Sequence, residues 1–221
     1  LDAVLLTHIH YDHVAGIDDL RPFCLFGDVD IYAQNDVVEG LHHTMPYCFK
    51  EHLYPGVPHL RLHTVEPHKA IHVCRKKSII AQFPASGSNL EGVINRQPTI
   101  VEVKPSTDEI DIIPIRVMHG QLPILGYRVG TFAYITDMKS IDDAEISYLE
   151  GVETLVVNAL RFEKPHHSHQ LVDDAIAFSR RVGAKQTYFT HLTHDIGTHR
   201  IANMRLPEGF FFAYDGEVID V

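Results

Sequence analysis

Apolar residues come along this chain in short runs, and four of the runs end on histidine or aspartate. Residues 3–6 (Ala-Val-Leu-Leu) lead into Thr7-His8-Ile9-His10-Tyr11-Asp12-His13, and the run 110–118, rich in isoleucine and valine, ends at His119-Gly120. Residues 131–135 (Thr-Phe-Ala-Tyr-Ile) precede Thr136-Asp137, and 186–189 (Gln-Thr-Tyr-Phe) precede Thr190-His191. Runs this short, with so many β-branched and aromatic residues, predict strands. Side chains at the ends of neighbouring strands meet in space however far apart they lie in sequence. The pattern therefore predicts one gathering of histidine and aspartate at a sheet edge.

Spacing inside the first cluster says more. In an extended chain side chains alternate faces, so His8, His10 and Asp12 can share a side. His13 breaks that period, which places a turn at Asp12-His13, and residues 14–20 supply a short helix to turn into. One strand–loop–helix junction can thus serve two adjacent metals, His8 and His10 for one, Asp12 and His13 for the other. Imidazole with carboxylate and no thiolate suits zinc, iron or manganese, and a catalytic ion keeps one position open for water. A solvated histidine-rich loop is the bland alternative in a chain with 17 histidines. The downstream strand ends, which supply the missing ligands, argue against it.

Elsewhere the pattern predicts a strand near 30–33 and a helical stretch over 35–50. Residues 54–72 are rich in proline and histidine and poor in periodicity, which predicts part of an active-site rim. His42, His43, His52, His59, His63, His68 and His72 are expected to be mostly solvated. Strands should dominate 79–135, with a turn over 84–89. Residues 141–149 read as helix, 154–158 as a buried strand and 168–182 as an amphipathic helix. Residues 210–214 and 217–221 read as a closing hairpin around Asp215-Gly216. No linker, repeat or low-complexity tract divides the chain, so one domain over 1–221 is expected.

Composition narrows the function. With 45% hydrophobic and 22% charged residues, the chain reads as an ordinary soluble globular protein. No apolar stretch approaches the roughly 20 residues of a membrane span. Cys24, Cys48 and Cys74 are odd in number and widely spaced, which fits reduced thiols in a cytoplasmic protein. The formal net charge of −10, from 19 basic and 29 acidic residues, disfavours a long nucleic acid. A small phosphodiester needs only the metals and one or two local cations, for which Arg96, Arg128 and Arg161 are candidates.

His8, His10, Asp12 and His13, followed in order by His119, Asp137 and His191, resemble the metallo-β-lactamase fold superfamily of metal-dependent hydrolases. The resemblance implies an α/β fold, a four-layer αββα sandwich with the ligands at one edge. That fold normally begins with strands ahead of the His-x-His motif, so N-terminal strands are expected to be missing from the chain as given. It implies a first metal site of His8, His10 and His119, a second of Asp12, His13 and His191, and Asp137 bridging both. True β-lactamases usually carry cysteine near the Asp137 position, so antibiotic hydrolysis is not expected. The nearest branch is the phosphodiesterases, which include the tRNA 3′-processing nuclease and a cyclic-phosphate phosphodiesterase. There a non-ligand histidine about 22 positions before the last ligand contacts the scissile phosphate. His169 occupies that place, with His166 and His167 as rivals. Asp12 and His169 are the candidate catalytic residues.

The expected cofactors are two divalent ions, zinc first, with manganese and iron also accepted. Two such ions about 3.5 to 4 Å apart turn a bridging water into a hydroxide near neutral pH and clamp the attacking and leaving oxygens. With Asp12, Asp137 and that hydroxide the cluster keeps a net charge of about plus one, which attracts an anionic diester. A histidine with a reference pKa of about 6.5 can then move the proton. The expected partner is a small anionic phosphodiester or cyclic phosphate, with no membrane; a homodimer is compatible with it. Thr7 and Thr190 each precede a ligand histidine and could orient it. His194 could sit behind the ligands too, or join a structural metal with residues before Leu1. Two other chemistries use similar ligands. A glyoxalase II-like thioester hydrolase typically adds a helical region after the last ligand, and only 30 residues follow His191 here. A di-iron redox protein usually has glutamate where this chain has His10.

Overall fold

The computed structural model describes residues 1–74, 78–82, 99–104 and 109–221. Strands β1 (Val4–Leu5), β2 (Val29–Ala33) and β3 (Leu60–Thr64) form a parallel sheet in that order. After β4 (Ile71–Cys74), β5 (Ser78–Gln82) and β6 (Thr99–Lys104) pair antiparallel with each other. Then come β7 (Glu109–His119), β8 (Leu122–Val129), β9 (Phe132–Ile135), β10 (Thr154–Asn158), β11 (Gln186–Thr190) and β12 (Phe210–Phe212). A seven-stranded sheet takes the order β12-β11-β10-β9-β8-β7-β4. The helices are α1 (Tyr11–Val14), α2 (Asn35–Thr44), α3 (Asp143–Ile146), α4 (Val172–Val182) and α5 (His199–Asn203), with 3₁₀ turns between them.

The period-two pattern of the strands is what stacks these layers. Val4 and Leu6 face a core shared with Val29, Ile31 and Ala33 of β2 and with Val37 and Leu41 of α2. Ala3, Leu5 and Tyr32 point the other way, into a core with Ile112, Leu125 and Tyr127 of the large sheet. That sheet's opposite face, with Ile115, Val117, Ile124 and Ile135, buries Val172, Ala175 and Phe178 of α4. Three apolar interfaces thus separate four layers: helices, small sheet, large sheet, helices, the αββα arrangement that the resemblance implies. Gly40 allows α2 to close on the first loop, because a Cβ there would meet Ile9 Cγ1 at 2.6 Å. No helix among the described residues is long and apolar enough to cross a membrane.

Strand direction sets where the site can be. β9, β10 and β11 are parallel, and β7 lies two antiparallel steps from β9, so β7, β9 and β11 all end at one edge. The first loop is tied to the large sheet by two bonds just before His8: Leu125 N–H donates to Thr7 O at 3.1 Å and Tyr127 O–H to Leu6 O at 2.7 Å.

Several expectations need correction. The stretch 54–72 is not wholly irregular, since Leu60–Thr64 is a strand whose Leu60 and Leu62 pack on the small-sheet core. Flanking prolines and histidines hide that short alternation. His63, 2.9 Å from Asp30, and His68, 2.7 Å from Glu145 and stacked on Tyr148, have half-buried side chains, while His42, His43, His52, His59 and His72 are exposed, as expected. Helix α4 starts at Val172, not residue 168, because Ser168 and His169 lie in a bend and, with Gln170, are buried, Leu160 N–H donating to Gln170 O at 2.9 Å. The closing hairpin does not form. Phe210–Phe212 pairs parallel with β11, and a turn does bend at Asp215-Gly216, but Val218 and Val221 are exposed and have no face to bury. The expected turn over 84–89 lies outside the described residues.

Candidate metal centre

The apolar strand ends deliver their polar residues to one place. His8 and His10 leave β1, His10 is the N-cap of α1, and the first turn of that helix carries Asp12 and His13. His119 ends β7, Asp137 lies two residues past β9, and His191 follows β11. They gather into two groups, His8, His10, His119 and Asp137 in one and Asp12, His13, Asp137 and His191 in the other. Within each group one candidate ligand atom per residue lies within 4.8 Å of the rest. Asp137 belongs to both. The turn comes at Tyr11, one residue earlier than the sequence pattern suggests.

The donor set fits a cation by its hydrogen bonding. His119 Nδ1 lies 2.7 Å from the backbone carbonyl of Asp137, and a carbonyl only accepts, so Nδ1 carries the proton and Nε2 the lone pair. Thr7 Oγ1 occupies His8 Nδ1 at 3.0 Å, which leaves His8 Nε2 buried with no hydrogen-bond partner. An unpartnered polar atom in a residue 2% exposed is costly unless something electropositive fills the space before it. Thr7 thus does what was expected of it. Thr190 does not, because His191 Nδ1 has no partner.

Asp137 is itself clamped. Its backbone takes a left-handed φ of 58°, and His191 one of 56°, conformations that cost roughly 1–3 kcal/mol each and persist only where surroundings enforce them. The enforcement is visible next door, where the Asn158 amide bonds both Met138 N (2.8 Å) and Met138 O (3.0 Å). Thr136 O–H donates to Asp137 Oδ1 at 2.8 Å. His13 Nε2 reaches Asp137 Oδ2 and His191 Nε2 reaches Oδ1, each at 3.2 Å. Burial pushes the Asp137 carboxyl up, but the His13 hydrogen bond and the charge of His191 hold it well below the usual carboxylate range. The same bond raises His13, whereas burial, with His13 nearby, lowers His8 to about 3.

The three rival histidines occupy different positions in the structure. His169 is 8% exposed, its ring 4.7 Å from His119 and 4.6 Å from His191, so it touches one member of each group. Burial lowers its pKa to about 4, and its Nδ1 has no partner. His166 packs behind it, its ring tilted at 4.9 Å and held by Ser168, and His167 is exposed. Beside the first group opens a cavity of about 650 Å³, bounded by His10, His119, Gln121, Lys139, His167 and Ser168 among others. Lys139 is the residue that sequence reasoning missed, although its place two positions after Asp137 was a signal. Of the expected cations, Arg128 bonds the carbonyls of Gly130 and Tyr148, Arg161 pairs with Asp195 at 3.5 Å, and Arg96 lies outside the described residues. His194, with a side chain 96% exposed and 3.8 Å from Asp195, joins neither group and backs no ligand.

A family model described as the beta-lactamase superfamily domain matches residues 1–192, a span that includes all seven clustered residues. The chain belongs to the β-lactamase superfamily. This superfamily chain is similar to a crystal structure described as a new diphosphatase from the PhnP family, with 33% identity, a TM-score of 0.73, and coverage of 98% of this chain and 69% of that one. It shares its fold with the short form of human tRNase Z, at 15% identity and a TM-score of 0.60 over 99% and 78% of the two chains. Among curated proteins it is 34% identical over 216 residues to an octanoyltransferase of Porphyromonas gingivalis. That match covers 98% of this chain but 37% of the relative, so the chain spans little more than a third of the relative's length.

Proposed function

We propose that this superfamily hydrolase is a dinuclear metal-dependent phosphodiesterase acting on a small phosphodiester or cyclic phosphate. The observation that carries the reading is His169, a buried imidazole outside both four-residue groups yet packed against a histidine of each. His8, His10, His119 and Asp137 would hold one cation, and Asp12, His13, His191 and Asp137 the other. Zinc is the first choice for this N/O set, with manganese and iron as alternatives. Bound there, divalent ions supply Lewis acidity that lowers the pKa of water and offsets phosphate charge.

The chain's own residues supply the rest. Thr7 and the Asp137 carbonyl fix the rings of His8 and His119, so no reorientation is needed at the moment of reaction. His169 is neutral in the unliganded protein. An incoming phosphodiester brings the negative charge that raises its pKa toward the working range, which makes its proton available to the leaving oxygen when substrate is present. Similarity to a PhnP-family diphosphatase supports a phosphate substrate. The free thiols Cys24, Cys48 and Cys74 support a cytoplasmic setting.

The acyl chemistry in the name of the Porphyromonas relative favours thioester hydrolysis as a second reading. We assign octanoyl transfer to the part of that relative which this chain does not match. Hydrolysis of bis(p-nitrophenyl) phosphate and of S-lactoylglutathione by metal-loaded protein, with metal content measured on the same sample, separates the two. Metal-dependent release of nitrophenol with the thioester untouched is expected. An inert diester with turnover of the thioester would establish the second reading.

A further inference from the structure

His169 sits on a loop between β10 and α4, closed at its base by Leu160 N–H donating to Gln170 O at 2.9 Å and Val172 N–H to Arg161 O at 3.0 Å. Loops of this length with joined ends are held by their own side chains. Phe162 anchors the start, edge-on to Phe212 and under the Arg205 guanidinium. The tip has no apolar anchor: Glu163, Lys164 and Pro165 are exposed, and Lys164 takes a left-handed φ of 64°.

The tip is held by a carboxylate from another loop. Asp195 lies in the 3₁₀ turn His194–Ile196, four residues after His191. Its Oδ2 is 3.5 Å from Arg161 Nη1, while Arg161 Nε–H donates to Lys164 O at 2.9 Å, so one guanidinium joins the tip to the turn. Lys164 Nζ also reaches Asp195 at 3.5 Å, but its side chain is 73% exposed, and solvent leaves such a pair worth little. The Arg161 and Asp195 side chains are 19% and 28% exposed, so their pair is better shielded. The turn has its own fixed base, where Thr193 N–H and O–H both donate to Leu160 O, at 2.9 and 3.2 Å.

The same guanidinium lies near His166, whose pKa is held below its ordinary value by burial and then by the charges of His167 and Arg161. His166 packs on His169, and His169 on His119 and His191. A continuous series of contacts thus runs from Asp195 to both metal-competent groups.

We infer that Asp195 is a positioning residue, which through Arg161 and His166 holds the His169 ring between the two groups. This rests on the reading of His169 as proton donor to the leaving oxygen. A donor displaced by about 1 Å can cost on the order of a hundredfold, and the loss is greatest where the leaving oxygen most needs its proton.

The test follows kcat along a series of diaryl phosphates, from bis(p-nitrophenyl) phosphate, whose leaving group needs a proton least, to diphenyl phosphate, in wild type, Asp195→Asn, Asp195→Glu and His169→Ala loaded with zinc. Asp195→Asn should lower kcat for diphenyl phosphate about tenfold further than for the nitrophenyl ester, with metal content unchanged, and Asp195→Glu should recover most of the difference. An equal loss along the series, or none, overturns the proposal, the first marking Asp195 as a strut of the fold. A dependence on leaving group unchanged in His169→Ala would instead sink the donor reading, and a series inert in wild type would sink the phosphodiesterase reading. In either case the ring signals of His169 in NMR spectra, assigned by their absence in His169→Ala, still decide the positioning role: they should shift in Asp195→Asn, and signals that stay in place overturn it.

Discussion

The two metal-competent groups share Asp137 but are built differently. In the first, His8 and His119 are buried and each has its Nδ1 occupied, by Thr7 and by the Asp137 carbonyl. In the second, Asp12 has a side chain 65% exposed, and His191 has no partner for Nδ1. A ring already held in its binding orientation loses little freedom when an ion arrives, whereas an exposed carboxylate must be ordered and desolvated. The deep group should therefore bind its ion tightly, and the shallow group should bind and release more readily. The shallow group's open side is where a water and a substrate oxygen can reach an ion.

Changes at the shared and separate residues test that contrast. Asp137→Asn removes the one carboxylate common to both groups; metal should fall out of both, with hydrolysis down by about ten-thousandfold, as read by metal analysis and steady-state rates. Retention of one ion would mean that the groups are independent. His169→Ala touches both groups and belongs to neither, so it should lower kcat on the order of a hundredfold while two ions remain bound. Full activity at equal metal content would remove His169 from the chemistry. Thr7→Val frees only the deep group's His8. Affinity for the tighter ion should drop by about ten- to a hundredfold in a chelator competition, with the weaker ion little changed.

The smallest effect is on stability in the metal-free protein. An unfolded histidine binds its proton near pH 6.5, but burial holds folded His8 down to about 3 and His169 to about 4. As pH falls below 6.5 the unfolded chain gains protons that the fold refuses, so stability should drop until roughly pH 3. His13, raised by Asp137, works in the opposite sense, because the fold holds its proton more tightly than the unfolded chain does. Burial lowers His166 too, and the raised His13 changes stability mainly above pH 6.5, so below 6.5 the balance is a loss toward acid, measurable as a falling Tm. A Tm that stays level or rises between pH 6.5 and 4 would contradict a fold that keeps His8 and His169 neutral.

Much of this was legible in sequence because strand ends are local events. Short apolar runs closing on His8, His119, Asp137 and His191 announced both the strands and the edge where they meet. What stayed hidden depends on packing across layers. Nothing local distinguishes His169 from His166 and His167; its burial between His119 and His191 does. Lys139 gives no periodic signal, and its place beside the cavity follows from the backbone bonds of Met118 and from the Asn158 clamp on Met138. The strand Leu60–Thr64 was masked by prolines, and the parallel pairing of Phe210–Phe212 with β11 could not be told from a hairpin because a turn does bend at Asp215-Gly216.

The most direct test is a stepwise titration of metal-stripped wild type and His119→Ala with cobalt(II), following the visible absorption and hydrolysis of bis(p-nitrophenyl) phosphate in the same samples. Wild type should take up two equivalents in separable steps, with hydrolysis rising on the second, and His119→Ala should lack the tighter step. Binding of a single equivalent by wild type, or full hydrolysis after the first, would contradict a deep site and a shallow site working as a pair.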